Sequence, residues 1–201
     1  MALPIQADAI RVALLKKYGG IWMDADTIIT NGEFLKNFEK YDLVMIGKNN
    51  TQHIGFIFAS KYSIIISEWL NEIIYRVNKY RKNNYFFKIK TVIWDYLGNG
   101  IVNRVININK SNKFFRLDKD KMNAFPETSF FKNTKLDPQE RYRLFYFQKR
   151  EAKIVLNNAK GIIMLHNSWT PSKYKKMSEI QFLKEEILLS RLLAKLLNNN
   201  L

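Results

Sequence analysis

Residues 8–30, DAIRVALLKKYGGIWMDADTIIT, constrain this chain more than any other segment. Ile10, Ala13, Leu14 and Tyr18 recur near helical spacing, which predicts a helix over 8–18. Lys16 and Lys17 suit its C-terminal end, where the carbonyl ends of the helix attract cations. Gly19 can supply the left-handed stop. GIWM then reads as a short buried strand that ends at Asp24. A helix, a glycine pair and a strand that delivers two acids, Asp24 and Asp26, succeed one another within 23 residues.

The rest of the chain repeats that alternation. DLVMIG (42–47) and GFIFAS (55–60) read as strands, and Ile64, Ile65, Trp69, Ile73 and Val77 predict a helix over 63–81. Residues 91–106 predict a helix with a glycine-bearing break. KFFRL and RLFYF read as strands, as does GIIMLH (161–166). Residues 179–197 predict one long amphipathic helix, opened by a capping box of Ser178 and Gln181. Alternating strands and helices give an α/β class, a mixed sheet flanked by helices with a C-terminal amphipathic helix. The expected organisation is one domain over 1–177 and the helix 178–201, packed on that domain or on a partner.

Composition narrows the chemistry. The chain has 201 residues, 47% of them hydrophobic, enough for one ordinary core. Cysteine is absent, which removes disulfides, thiolate metal sites and cysteine nucleophiles together and suits a reducing cytosol. The start, MALPIQADAI, lacks the basic and apolar regions of a signal peptide. No run of about 18 apolar residues offers a membrane span. Thirty-three basic against 18 acidic residues give a formal charge of +15, a field that favours anionic partners without choosing among them. Much of that excess is Lys mixed with Asn and Ile, as in NKYRKNN, a bias that AT-rich coding also produces.

Against that background the acids of 8–30 stand out. A bare D-x-D can be an exposed turn in which Asp26 caps the next element. In an extended segment, however, Asp24 and Asp26 lie one pleat apart and point the same way. Two hard oxygen ligands on one side can hold Mg²⁺ or Mn²⁺ and leave coordination positions for a diphosphate. Ala25 between them is small. Asp8 and Arg11, three residues apart, share a helical face. They form either a surface ion pair or a pair aimed at the same pocket, with Arg11 on phosphate or a sugar hydroxyl and Asp8 accepting from sugar hydroxyls.

Taken together, Ala7, Asp8, Arg11, Tyr18, Gly19, Gly20, Asp24 and Asp26 resemble the core motif of the DXD-containing sugar transferases. These include glycosyltransferase family 32, the glucosyltransferase domains of large clostridial toxins and the capsular polysaccharide synthesis proteins. Trp22 falls where the family usually has an aromatic residue. GFIFASKYSIIISEWLNEI resembles the family's next strand and helix, with Ile54 where the family often has Asn. DYLGNGIVNRVI, NAFPETSFFKN and IMLHNSW resemble later family segments, so the likeness runs from residue 5 to about 172. It implies a GT-A-like, partial Rossmann-type fold and retaining transfer of a hexose from a nucleotide diphosphate sugar to a saccharide or lipid-linked saccharide acceptor. It also implies a Mn²⁺ or Mg²⁺ cofactor held by Asp24, Asp26 and His166. Asp8, Arg11, Trp22, Asp24, Ser168 and Trp169 would contact the donor, with Trp169 as a lid over the leaving group. The expected setting is surface or capsular polysaccharide synthesis on the cytoplasmic side, with peripheral contact at the inner face of the membrane. Parallel neighbouring strands would bring His166, Ser168 and Trp169 to Asp26. No nucleophile is assigned. In the family an N-terminal βαβ half forms the nucleoside pocket, and only seven residues precede Asp8. The expectation is therefore a truncated chain, or one whose partner supplies that half.

Other readings compete. His166 can be a strand-end histidine bonded to backbone. The C-terminal helix can pack on its own core, or lie on a membrane or partner surface, with Lys184, Arg191 and Lys195 bordering its apolar face. The whole chain can be a non-catalytic interaction module of the same fold. A basic nucleic-acid-binding protein fits the charge, but no nucleic-acid motif is present, so nucleic acid is not an expected partner.

Overall fold

The computed structural model describes residues 2–49, 51–86, 95–109, 113–119, 135–150 and 161–198. The chain divides into two compact units, Met1–Asp24 with Asn37–Asp118, and Ala25–Lys36 with Lys119–Leu201. Class and layering are as read from the sequence: mixed α/β, with a mixed parallel and antiparallel sheet and flanking helices.

The first unit opens with helix α1 (Leu3–Tyr18), which starts five residues before the expected point. Pro4 sits in its first turn, where its fixed φ suits a helix and its missing N–H would have had no partner. Its buried face differs from the one predicted. Ile10, Leu14 and Tyr18 are exposed, while Ile5, Asp8, Arg11, Val12 and Leu15 turn inward. The apolar period misled because α1 is apolar on both sides, and the inner face also carries an ion pair. Gly19 ends the helix at φ 68°, ψ −162°, a combination open essentially to glycine alone. A Cβ there would lie 2.7 Å from the Lys61 nitrogen.

Strand β1 (Gly20–Met23) comes next and lies at the edge of a four-stranded sheet with β3 (Leu43–Lys48), β4 (Thr51–Ala59) and β5 (Phe114–Asp118). The order is β1-β4-β3-β5; β4 is antiparallel to both neighbours and β3 runs parallel to β5. β4 begins four residues earlier than expected, at Thr51, so Ile54 and Gly55 belong to the strand. Two helices complete the unit, α2 (Ile64–Phe86) and α3 (Asn99–Asn109). Ser63 caps α2 by accepting from the Ile66 N–H, and its own hydroxyl donates to Asp42. The expected helix over 91–106 is, in its described part, a turn at 95–98 that leads into α3. The core between helices and sheet joins Val12, Leu15, Met45, Ile57, Ile66, Trp69, Leu97, Ile101 and Val102. Phe38 packs against Phe56 and Phe58.

In the second unit, β2 (Thr27–Ile29) pairs antiparallel with β6 (Ile162–Met164), in register Thr27 to Met164. The expected parallel neighbour of GIWM is thus an antiparallel partner of the next strand. RLFYF is helical, not a strand: it ends α4 (Pro138–Tyr146). Asp137 and Glu140 form a capping box there, Pro138 fills the first turn, and Tyr142, Phe145 and Tyr146 fall on one buried face. The predicted C-terminal helix is broken. After α5 (Ser172–Lys175), the Ser178–Gln181 capping box opens α6 (Glu179–Leu183), and α7 (Leu188–Asn198) starts anew. The Leu188 N–H donates to the Gln148 carbonyl, and the Ser190 hydroxyl donates to the Ile187 carbonyl. These tertiary and local bonds replace continuous helix across 184–187. Leu188, Leu189 and Leu192 are buried against Tyr142, Phe145, Tyr146 and Ile163, which is the helix-on-core arrangement. Among the described residues no helix is long and apolar enough to cross a membrane.

Candidate donor-binding site

Arg11 organises the acids of the first unit. Its Nη2 lies 3.2 Å from Asp8 Oδ1, and its Nη1 lies 3.4 Å from Asp24 Oδ1. Nη1 also donates to the Ile54 carbonyl. The guanidinium carbon sits 5.3 Å from the centre of the Trp22 ring. Trp22 Nε1 in turn donates to Asp24 Oδ1 at 2.9 Å. Backbone closes the arrangement: the Asp24 N–H donates to the Gly55 carbonyl at 2.8 Å, which extends the β1–β4 ladder by one bond. Asp8 and Arg11 are 3% and 6% exposed, so this is not a surface ion pair. The Asp24 side chain is about one third exposed, with relative accessibility 34%.

Burial pushes the Asp8 carboxyl up to about 6; Arg11 opposes that shift, while Asp95 and Asp24 add to it. Two carboxylates thus flank one guanidinium, with a third near Asp8, a local gathering of acids in a chain of charge +15. Asp24 Oδ1 is occupied by Trp22 and Arg11, whereas Oδ2 points to the Gly55 side, where an added Cβ would lie 3.0 Å from it. Asp24 Oδ2 takes no part in the Arg11 and Trp22 contacts.

Asp26 belongs to the second unit, and the chain turns at 25–26 where a pleat was expected from the sequence. The extended backbone expected between Asp24 and Asp26 is therefore replaced by a turn. Asp26 meets the HNSW segment: its carbonyl accepts from the Leu165 N–H at 2.9 Å, and its Oδ2 accepts from the Asn167 N–H at 3.4 Å. The expected proximity of this segment to Asp26 is present, through antiparallel rather than parallel pairing. The His166 and Trp169 rings lie 4.1 Å apart between centres, tilted by 33°, and Tyr142 meets each of them edge-on at 5.7 and 5.6 Å. Ser168 is exposed. Among the described residues no three acidic or histidine side chains form a ready metal centre.

Several site residues escaped the sequence reading. The Ile54 carbonyl holds Arg11, so backbone contributes at a position whose side chain departs from the family pattern. Asp95 approaches Asp8 from the turn before α3; an acid beside the Gly-Asn-Gly break was its only signal. Tyr142, one residue before the segment read as strand, accepts from the His166 N–H through its hydroxyl at 3.1 Å. Burial pushes the Tyr142 hydroxyl further above its ordinary value. The NAFPETSFFKN segment lies outside the described residues.

A mixed sheet with flanking helices, and an Asp–Arg–Asp cluster at the end of an edge strand, define an α/β protein with a polar site beside its sheet. Residues 4–132 match the family model for capsular polysaccharide synthesis protein, and the chain belongs to that family. Membership gives it a role in polysaccharide synthesis. His166, Ser168 and Trp169 lie beyond the matched residues. No curated protein and no solved structure matches the chain.

Proposed function

We propose that this protein is a glycosyltransferase that moves a hexose from a nucleotide diphosphate sugar to a hydroxyl acceptor, a saccharide or lipid-linked saccharide, with retention of configuration. The observation that supports this best is the buried Arg11, held between Asp8 and Asp24 beside Trp22. An internal ion cluster of this kind is costly to a fold, because desolvation works against each charge. A binding task explains its presence better than stability does.

In this reading Arg11 presents donors to phosphate or sugar oxygens, and Asp8 accepts from sugar hydroxyls. Trp22 covers the guanidinium and holds Asp24 in orientation. Asp24 and Asp26 would hold Mg²⁺ or Mn²⁺, which when bound supplies positive charge against the leaving diphosphate. Ser168 and Trp169 would contact the diphosphate side of the donor and His166 would join the metal ligands, on the strength of the motif resemblance. The protein's own residues bind, orient and exclude water; none is assigned as nucleophile. The reaction would take place at the cytoplasmic face of the membrane.

The test is release of nucleoside diphosphate from a panel of nucleotide sugars in the presence of Mn²⁺ and a hydroxyl acceptor. Wild type should turn over at least one donor. Arg11→Ala should weaken nucleotide-sugar binding by about 1.5–3 kcal/mol, the worth of a charge-assisted contact. Wild-type protein that neither binds nor turns over any donor would sink the reading.

A further inference from the structure

The Asp8 cluster contains hydrogen-bonding atoms that the fold does not satisfy. Asp8 Oδ2, Asp95 Oδ1 and Asn99 Oδ1 are each buried without a donor, and Arg11 Nε is buried without an acceptor. Asp8 is 3% exposed and Arg11 6%, so neither residue has solvent to fall back on. Buried polar groups in folded proteins are ordinarily paired, and an orphan at a functional site points to a missing partner.

Two of the orphans converge. A Cβ built on Gly98 would lie 2.8 Å from Asp8 Oδ2 and 3.1 Å from Asp95 Oδ1, so both oxygens border the same point. Gly98 is the residue that leaves room for them. Asn99 comes directly after it as the first residue of α3. The other oxygen of Asp95 faces the exposed Gly100, whose Cβ would lie 3.5 Å from it. The cluster therefore reaches the surface at Asp95, Asn99 and Gly100, which are half-buried, half-buried and exposed.

The chemistry of the orphans selects the ligand. Three are acceptors, which excludes an anion as their partner. A metal ion is disfavoured at Asp8, because the Arg11 guanidinium already lies 3.2 Å from its Oδ1. Hydroxyl groups fit: each is neutral, can donate to a carboxylate, and can accept from an N–H such as that of Arg11 Nε. Several hydroxyls at fixed spacing are what a hexose presents.

We propose that Asp95 and Asn99 join Asp8 in reading the hydroxyls of the transferred sugar, with Asp95 as a residue that sets which sugar is accepted. This rests on the transferase reading above. A site built to bond a given hydroxyl rejects the analogue that lacks or inverts it, because its own polar groups then stay unpaired.

The experiment measures binding of UDP, UDP-glucose, UDP-galactose and UDP-N-acetylglucosamine, each with Mn²⁺, to the full chain by calorimetry. The same series is run on Asp95→Asn and Asn99→Ala, with GDP- and dTDP-hexoses added if wild type ignores uridine. For the sugar that wild type prefers, Asp95→Asn should raise Kd about tenfold, and should change the preference between epimers. Its Kd for the bare nucleoside diphosphate should stay within about twofold of wild type. Asn99→Ala should show the same selectivity at smaller size, and it carries the test if Asp95→Asn does not fold. Unchanged sugar affinity and preference in both variants overturn the assignment of Asp95 and Asn99 while leaving the transferase reading in place. So does an equal loss for sugar-bearing and bare nucleotide. Wild type that binds no nucleotide sugar overturns both.

Discussion

Around Asp8 the first unit gathers three carboxylates and one guanidinium, whereas around His166 the second unit packs aromatic rings against one another. The first arrangement is governed by charge and desolvation, so pH and charge substitutions should act on it strongly. The second is governed by ring packing and a few neutral hydrogen bonds. Burial pushes the hydroxyl of its Tyr142 further above the ordinary value, so that group stays un-ionised through the neutral range. The difference teaches that two polar sites of one chain can have opposite relations to stability. The charged cluster strains its unit, and the aromatic cluster holds its unit together.

The largest expected effect belongs to Arg11. Arg11→Ala removes the guanidinium from the cluster and leaves buried acid behind, which should cost about 3–5 kcal/mol. Urea unfolding monitored by hydrogen exchange in residues 3–23 and 51–59 measures it. A loss below about 1 kcal/mol, the range of a surface pair, would remove the contrast between the units.

Asp8→Asn should act in the opposite direction. The folded-state value of about 6 lies above the ordinary 3.8, so the folded chain binds the proton more tightly than the unfolded one. This group's contribution to stability is then full below about pH 4 and is lost as pH rises to about 6. At pH 7 the ionised carboxylate costs about 3 kcal/mol, the shift converted at 1.36 kcal/mol per pH unit. Asp8→Asn should therefore raise the stability of the first unit at pH 7 and flatten its decline between pH 4 and 6. A variant less stable than wild type at pH 7 would show that the Arg11 pairing outweighs desolvation.

Smaller effects are expected in the second unit. Tyr142→Phe deprives the His166 N–H of its acceptor and should cost about 1 kcal/mol, read by urea unfolding at pH 8. A loss well below that would mean that another acceptor takes the place of the hydroxyl. Ser178→Ala breaks the capping box of α6 and should cost about 1 kcal/mol at most, read as faster exchange at Glu179–Leu183.

The same contrast explains what could be read from the sequence. Local signals came through: the α1–β1 segment ending at Asp24, and the Ser178–Gln181 capping box, depend on residues close in the chain. The inward face of α1 did not, because apolar residues lie on both sides and the decisive contacts of Arg11 come from β4, 43 residues away. RLFYF reads as a strand by composition, yet the cap that starts its helix is Asp137, six residues earlier. The break before α7 depends on the Gln148 carbonyl, which no local pattern announces. Asp95 was invisible as a site residue because its link to Asp8 passes through Gly98, a small residue whose importance lies in the volume it does not fill.

The raised affinity of Asp8 for a proton has a further consequence, for the life of the protein in a cell. The sugar proposed above, donating hydrogen bonds to Asp8 of the folded chain, would by mass action stabilise the fold as its concentration rises. The strain of the cluster would be largest when nothing is bound. Supply of such a ligand would then set how much of the protein survives quality control, and an unloaded pool would be cleared faster than a loaded one. Asp8 would in this way tie the abundance of the protein to the availability of what it binds.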